Sequence, residues 1–222
     1  MAYFSHTSQD KTNHRPMNQT PGFTNKTYGA DRIGLVIFHD TARIIASPAE
    51  PHDHSLQERV CALPGLVGGS GTNLTAGIRS AMQLAMQSPA GCLRRIWLLT
   101  DGKPNIEENG LWTAVEDARK CRININTIGF GDPGSRDYDP ELLERIAKAT
   151  HNGRFIPVDS LRSLSEALKK NNGQNRHHRR EVTVMAIDCS PSMGWPMEKK
   201  QRIEVVVEAL MHLLRYKQKC FA

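Results

Sequence analysis

No run of about 18 apolar residues occurs in this 222-residue chain, so the sequence offers no candidate membrane-spanning helix. Met1 to Asp10 lack the basic-then-apolar pattern of a secretion signal, and a cytoplasmic location is the expectation. Cysteine is scarce and unpatterned. The five residues, at positions 61, 92, 121, 189 and 220, are odd in number, form no C-x-x-C pair and have no closely spaced histidines of zinc-site type. They are expected to be free thiols, mostly buried. Neither G-x-G-x-x-G nor a nucleophile elbow is present. Set against G-x-x-x-x-G-K-[ST], the stretch from Gly65 to Thr72 carries Ser70 and Gly71 in the sixth and seventh places, so it lacks the phosphate-binding lysine.

A net charge of +6 raises the question of nucleic acid, and the location of the charges answers it. Residues 1–29 carry +2 and residues 169–180 carry +5, which leaves the rest of the chain at −1. A body near neutrality has no basic face for a phosphate backbone, so neither nucleic acid nor membrane is an expected partner. With 39% hydrophobic and 23% charged residues, the chain reads as one globular domain with a sizeable core.

Residues 1–29 are polar, show no apolar periodicity and are expected to form a disordered arm. From Asp31 the pattern changes. Ile33 to Phe38 and Ala42 to Ala46 flank the turn His39-Asp40 as a hairpin, Leu56 to Leu63 reads as a short helix, and Leu74, Ile78, Met82 and Ala85 stand at helical spacing after the Gly-rich loop 65–71. Arg95 to Thr100 and Ile123 to Phe130 read as buried strands around a helix from Leu111 to Cys121. Asp139 precedes Pro140 as the N-cap of a helix with Leu142, Leu143 and Ile146 inward. Arg154 to Val158 is a further strand, and Leu161, Leu164 and Leu168 mark another helix. Residues 171–180 hold no hydrophobic residue and read as a linker. Beyond it come the apolar run Val182 to Ile187 and a helical stripe of Ile203, Val206, Val207, Leu210 and Leu214. Strands alternating with helices predict a doubly wound, mostly parallel α/β sheet with helices on both faces.

The sharpest chemical feature is Asp188-Cys189-Ser190-Pro191-Ser192, directly after the buried strand Val182 to Ile187. In an open parallel sheet, ligands collect beyond the carboxyl ends of the strands. Asp188, Ser190 and Ser192 supply alternate oxygen donors there, a set suited to a small hard cation. Thr72, in the Gly-rich loop, and Asp101, ending the strand Arg95 to Thr100, can converge on the same point. Singly, each residue also reads as an ordinary cap or turn; jointly they form a D-x-S-x-S, T and D set. The cluster His52-Asp53-His54 lies in a Pro-flanked polar stretch and is assigned no role. The aspartates of Gly131 to Asp139 lack EF-hand spacing and read as a solvated connection.

This set, with the stretches D-R-I-G-L-V-I-F, G-T-N-L, R-R-I-W-L-L-T-D-G-K-P-N, I-N-T-I-G-F-G and E-L-L-E-R-I-A-K-A-T, resembles the von Willebrand factor A family over residues 31–168 and 181–222. The resemblance implies a Rossmann-like fold and a metal-ion-dependent adhesion site. Ser190, Ser192 and Thr72 would then offer hydroxyls, with Asp188 and Asp101 acting directly or through waters. It further implies Mg²⁺, with Mn²⁺ able to substitute, and a protein partner that supplies a Glu or Asp carboxylate.

The order departs from the family: the D-x-S-x-S strand and its helix come last here and first there. A circular permutation, with 31–222 as the domain and 171–180 joining its last helix to its first strand, accounts for this. A chain joining most of one A domain to the beginning of a second is the rival. Asp188 after a buried strand also resembles the nucleophile of Mg²⁺-dependent phosphatases of the haloacid dehalogenase type, but those need a second Asp where Ser190 stands. The expectation is therefore a non-enzymatic interaction module, with a structural domain bearing a vestigial metal site as the alternative.

Overall fold

The computed structural model describes residues 31–101, 103–105, 108–131, 138–170, 180–197 and 199–221. The polar arm 1–29, most of the linker 171–180 and most of the loop 131–139 lie outside the described residues. Six strands form one sheet: β1 (Arg32–Phe38), β2 (Ala42–Ala49), β3 (Leu93–Thr100), β4 (Ile123–Phe130), β5 (Phe155–Val158) and β6 (Glu181–Asp188), in the order β2-β1-β6-β3-β4-β5. All neighbours pair in parallel except β2, which runs antiparallel to β1 at the edge. The α/β expectation is met, and the sheet's last strand in chain order, β6, lies between β1 and β3.

Side chains alternate across the sheet as the two-residue period of a strand demands. Ile33, Leu35 and Ile37 of β1, Trp97 and Leu99 of β3, and Met185 and Ile187 of β6 face one core, shared with α1 (His54–Cys61), α5 (Leu161–Lys170) and α6 (Arg202–Phe221). Val36, Phe38, Ile96, Leu98, Val184 and Ala186 face the other, with α2 (Leu74–Met86), α3 (Glu108–Lys120) and α4 (Pro140–Lys148). Each of the eight residues of β6 is buried. Helix α2 approaches β1 at Gly77, where a Cβ would stand 2.7 Å from the Phe38 ring, so a side chain there would wedge helix from sheet.

Helix starts follow the sequence signals. Asp139 accepts from Leu142 N–H at 2.9 Å, with Pro140 in the first turn, although Leu142 is only half-buried. Asp53 accepts from Leu56 N–H at 2.9 Å, so the His52-Asp53-His54 cluster is the start of α1, with His52 and His54 exposed. Asn73, and not Thr72, caps α2 by accepting from Ala76 N–H at 2.9 Å. A short hairpin, β7 (Pro196–Met197) and β8 (Lys200–Gln201), precedes α6; its two-residue strands are too brief for periodicity to reveal.

The expectation of mostly buried thiols needs correction. All five cysteines are free, but only Cys189 is buried, while Cys61 and Cys220 are exposed at the ends of α1 and α6. Small apolar character favours burial of cysteine without dictating it, and these two fall where their helices run out.

The C-terminal segment is fastened to the rest at the amino ends of the strands. Lys217 Nζ donates to Asp31 Oδ2 at 2.5 Å, and Asp31 Oδ1 accepts from Glu181 N–H at 3.1 Å, joining α6, the start of β1 and the start of β6. The Lys217 side chain is 2% exposed, so the pair is shielded from solvent screening. Lys217→Met should destabilise the fold by about 2–4 kcal/mol, and Asp31→Asn in the same chain should recover part of the loss. Chemical denaturation of the two variants measures both effects.

Candidate metal centre

The site lies at the carboxyl ends of β6 and β3, where the sheet opens. Asp188 ends β6, with Oδ2 accepting from Thr100 Oγ1 at 2.6 Å and Oδ1 from Ser190 N–H at 2.8 Å. Ser190 Oγ and Ser192 Oγ are 3.1 Å apart, and Ser192 Oγ donates to Asp101 Oδ1 at 2.8 Å. With its proton committed to Asp101, Ser192 must be the acceptor in the pair, which leaves Ser190 as donor. Four of the five expected residues thus form one continuous hydrogen-bonded chain, Asp188-Ser190-Ser192-Asp101.

Thr72 joins through its backbone. Its N–H donates to Asn105 Oδ1 at 2.8 Å and its carbonyl accepts from Asn105 N–H at 3.3 Å, which ties the Gly-rich loop to the loop that carries Asp101. The same Gly-rich loop donates Gly68 N–H to Cys189 O at 2.8 Å. On its far side, Asp40 receives Ser70 N–H and Oγ–H at about 3 Å, and Asn73 N–H donates to His39 O at 2.7 Å. Gly69 has φ +79°, and a Cβ there would fall 2.5 Å from His39 Nδ1, so this turn needs glycine. Asn105 and Asp40 each brace a loop some thirty residues away, and Thr100 bonds Asp188 88 residues on; nothing in local spacing marks such partners.

Burial without full compensation governs the electrostatics. Desolvation pushes Asp188 up to about 7, and the nearby Asp101 charge adds to it against the Thr100 and Ser190 hydrogen bonds. Asp101 is also raised, again by burial, opposed by hydrogen bonds from Arg202 and Ser192. Arg202, at the start of α6, donates Nη1–H to Asp101 Oδ2 at 2.7 Å from a buried position. A basic residue at the start of a helix carries no local signal for a partner 101 residues away. Asp40, in contrast, is only half-buried, and its carboxyl is lowered chiefly by the Ser70 backbone hydrogen bond.

Among the described residues no group of three or more His, Cys, Asp or Glu side chains could hold a metal. A site here is built instead from two carboxylates and neutral hydroxyls. That all-oxygen set fits a small hard cation, and two buried carboxylates near each other favour added positive charge. On the flank, Lys103, Trp112, Asp139 and Arg145 line a groove of about 320 Å³ beside the loop after β3.

The family model for the von Willebrand factor type A domain matches residues 22–170. The chain belongs to the von Willebrand factor type A domain family. The match ends ahead of β6, the strand that carries Asp188. This A-type domain is 38% identical over 111 residues to the magnesium-chelatase 60 kDa subunit of Rhodobacter capsulatus, covering 47% of the chain and 19% of that relative. It is 26% identical over 140 residues to calcium-activated chloride channel regulator 1 of Bos taurus, covering 62% of the chain and 14% of the relative.

In structure it resembles a von Willebrand factor type A protein from Catenulispora acidiphila, with TM-score 0.53 and 20% identity over 66% of this chain and 34% of that one. It also resembles BatB from Bacteroides thetaiotaomicron, with TM-score 0.50 and 20% identity over 66% of this chain and 78% of that one. These likenesses concern the fold. Domains of this family are commonly metal-dependent protein-interaction modules. The magnesium-chelatase relatives, at low identity, weigh weakly against the expectation of a non-enzymatic module. Among the described residues no helix is long and apolar enough to cross a membrane.

Asp188 makes a pH prediction with a definite sign. A carboxyl whose folded pKa is raised binds its proton more tightly in the folded than in the unfolded state, so its contribution to stability falls as pH rises between about 4 and 7. In EDTA the parent should lose on the order of 1–4 kcal/mol more than Asp188→Asn across that window. Paired denaturation curves at pH 4.5 and 7.5 check this; parallel losses in the two proteins would contradict it.

Proposed function

We propose that this A-type domain is a divalent-cation-dependent protein-interaction module. In this reading Asp188, Ser190, Ser192, Thr72 and Asp101 hold Mg²⁺, for which Mn²⁺ substitutes, and a protein partner supplies a Glu or Asp carboxylate. The observation that carries it is the largely buried hydrogen-bonded chain Asp188-Ser190-Ser192-Asp101, with Asn105 clamping the Thr72 loop alongside. When bound there, a divalent ion supplies an open coordination position and a positive local field. The chain's own part is to keep the donors few in charge: three of the five are neutral hydroxyls, and a carboxylate acting through a bound water would leave the ion part of its positive field. Without the ion, an incoming carboxylate would find no cation open to it, since the Arg202 guanidinium is already paired with Asp101.

The domain is further proposed to be a single permuted unit spanning 31–222, with 171–180 joining α5 to β6. Its support is topological: numbered from β6, the sheet reads 3-2-1-4-5-6, the doubly wound order. The alternative, a chain combining parts of two A domains, would fill the central position with β6 of another molecule. A cytoplasmic setting belongs to the same reading, supported by five unpaired cysteines, as expected where thiols stay reduced. Hydrolysis is not proposed, since Ser190 stands where a phosphatase of the considered type needs its second Asp.

A second reading, an interaction domain with a vestigial metal site, draws on one observation: Asp101 is already neutralised by Arg202. Metal titration separates the two. Calorimetry should give about one Mn²⁺ or Mg²⁺ per chain, and Asp188→Ala or Asp101→Ala should weaken binding by roughly 100-fold or more. Unchanged titration in both variants would remove the site. A pull-down from cytosolic extract should retain its partner in Mg²⁺ and lose it in EDTA, with Thr72→Ala reducing partner capture more than Mn²⁺ affinity. Equal retention in all conditions would favour the vestigial reading. For the permutation, replacing 171–180 by Gly/Ser of equal length should leave a folded monomer by light scattering; obligatory dimers of the parent would favour the two-domain rival.

A further inference from the structure

Arg202 closes the β7–β8 hairpin, its N–H donating to Trp195 O at 3.0 Å, and then turns its side chain back into the metal centre. The guanidinium is 8% exposed and the Asp101 carboxylate that accepts from it is fully buried. Its carbon also lies 5.6 Å from the centroid of the Trp195 ring, and Trp195 is 55% exposed at the lip of the site. One cation is thus held between an expected metal ligand and an exposed aromatic ring. Two other ion pairs buried in the fold, Lys217 with Asp31 and Arg95 with Glu181, involve the amino-end residues Asp31 and Glu181 and touch no expected ligand.

We propose that Arg202 is a resident cation of the centre, one that neutralises Asp101 when no metal is present and competes with an incoming divalent ion for that carboxylate. The proposal rests on the metal-binding reading above and adds what sets the affinity. Two buried carboxylates close together are unfavourable in a metal-free site, and Arg202 relieves half of that charge. A divalent ion arriving at the same oxygens meets a positive group one hydrogen bond away, and like charges at that separation repel strongly in a partly buried setting. By linkage, whatever Arg202 contributes to the stability of the metal-free protein is subtracted from metal binding. Because the guanidinium also faces Trp195 and its backbone closes the hairpin, its displacement reaches the surface at Trp195, so metal occupancy is reported at the lip where a partner would dock.

The test is Mn²⁺ calorimetry on the full chain and on Arg202→Gln and Arg202→Lys, with thermal melts in EDTA. Arg202→Gln should bind Mn²⁺ about tenfold or more tightly than the parent, melt lower in EDTA and gain more from added Mn²⁺. Arg202→Lys retains the charge and should stay within roughly threefold of the parent. In a Trp112→Phe background, where the fully buried Trp97 is the other emitter, Mg²⁺ should also shift the acrylamide-quenchable emission of the exposed Trp195 in the parent and not in Arg202→Gln. A folded Arg202→Gln that binds Mn²⁺ equally or more weakly overturns the competition while leaving the metal reading intact. If none of the three proteins binds Mn²⁺, the metal reading falls and takes this proposal with it. Should Arg202→Gln not fold, the parent decides: Mg²⁺ that binds by calorimetry without moving Trp195 emission overturns the coupling.

Discussion

Parallel pairing of β6 to β1 on one edge and to β3 on the other occupies the centre of the sheet, and both cores require it. Met185 and Ile187 face one helical layer, Val184 and Ala186 the other, so removing the strand would open both layers together. Parallel strands have no hairpin to set their register, and here it is set by the packing of both faces. Phe38 pairs with Asp188 and Leu99 with Ile187, which brings the carboxyl ends of three strands level. The candidate site is a consequence of that alignment: Asp188 and Asp101 leave adjacent strands at nearly the same height.

What the sheet creates, the loops refine. Two carboxylates that must be buried near each other are a liability in any fold, and three devices manage it: hydroxyl donors from Thr100 and Ser192, the backbone of Ser190, and the guanidinium of Arg202. The raised Asp188 shows how far these fall short of compensating for burial. Burial of two carboxylates this close together is what the proposed cation would relieve. At the opposite end of the strands, Lys217 and Asp31 solve the simpler problem of one buried pair and serve anchorage.

Much of the fold was legible in the sequence because it is local. Ile123 to Phe130 appears with its expected bounds, Asp139 and Pro140 start their helix as expected, and the hairpin of β1 and β2 follows its turn. The misses have local causes too. Residues 196–201 form strands too short to show a period, and Cys61 and Cys220 follow the ends of their helices rather than cysteine's average burial. In the site, Asp188, Ser190, Ser192 and Asp101 could be chosen because motif spacing and strand ends identify them. Asn105, Asp40 and Arg202 could not, since each acts on a residue that only folding brings near.

The sequence by itself determined the periodicities, the caps, the near-neutral body between two basic segments and the oxygen donors at strand ends. These are properties of neighbours along the chain, where side-chain spacing and backbone preference act directly. Only the tertiary structure decided that β6 lies between β1 and β3, that Thr72 is held by Asn105 and that Arg202 reaches Asp101. Pairings over roughly a hundred residues or more depend on which buried surfaces fit together at once, and no local period carries that information.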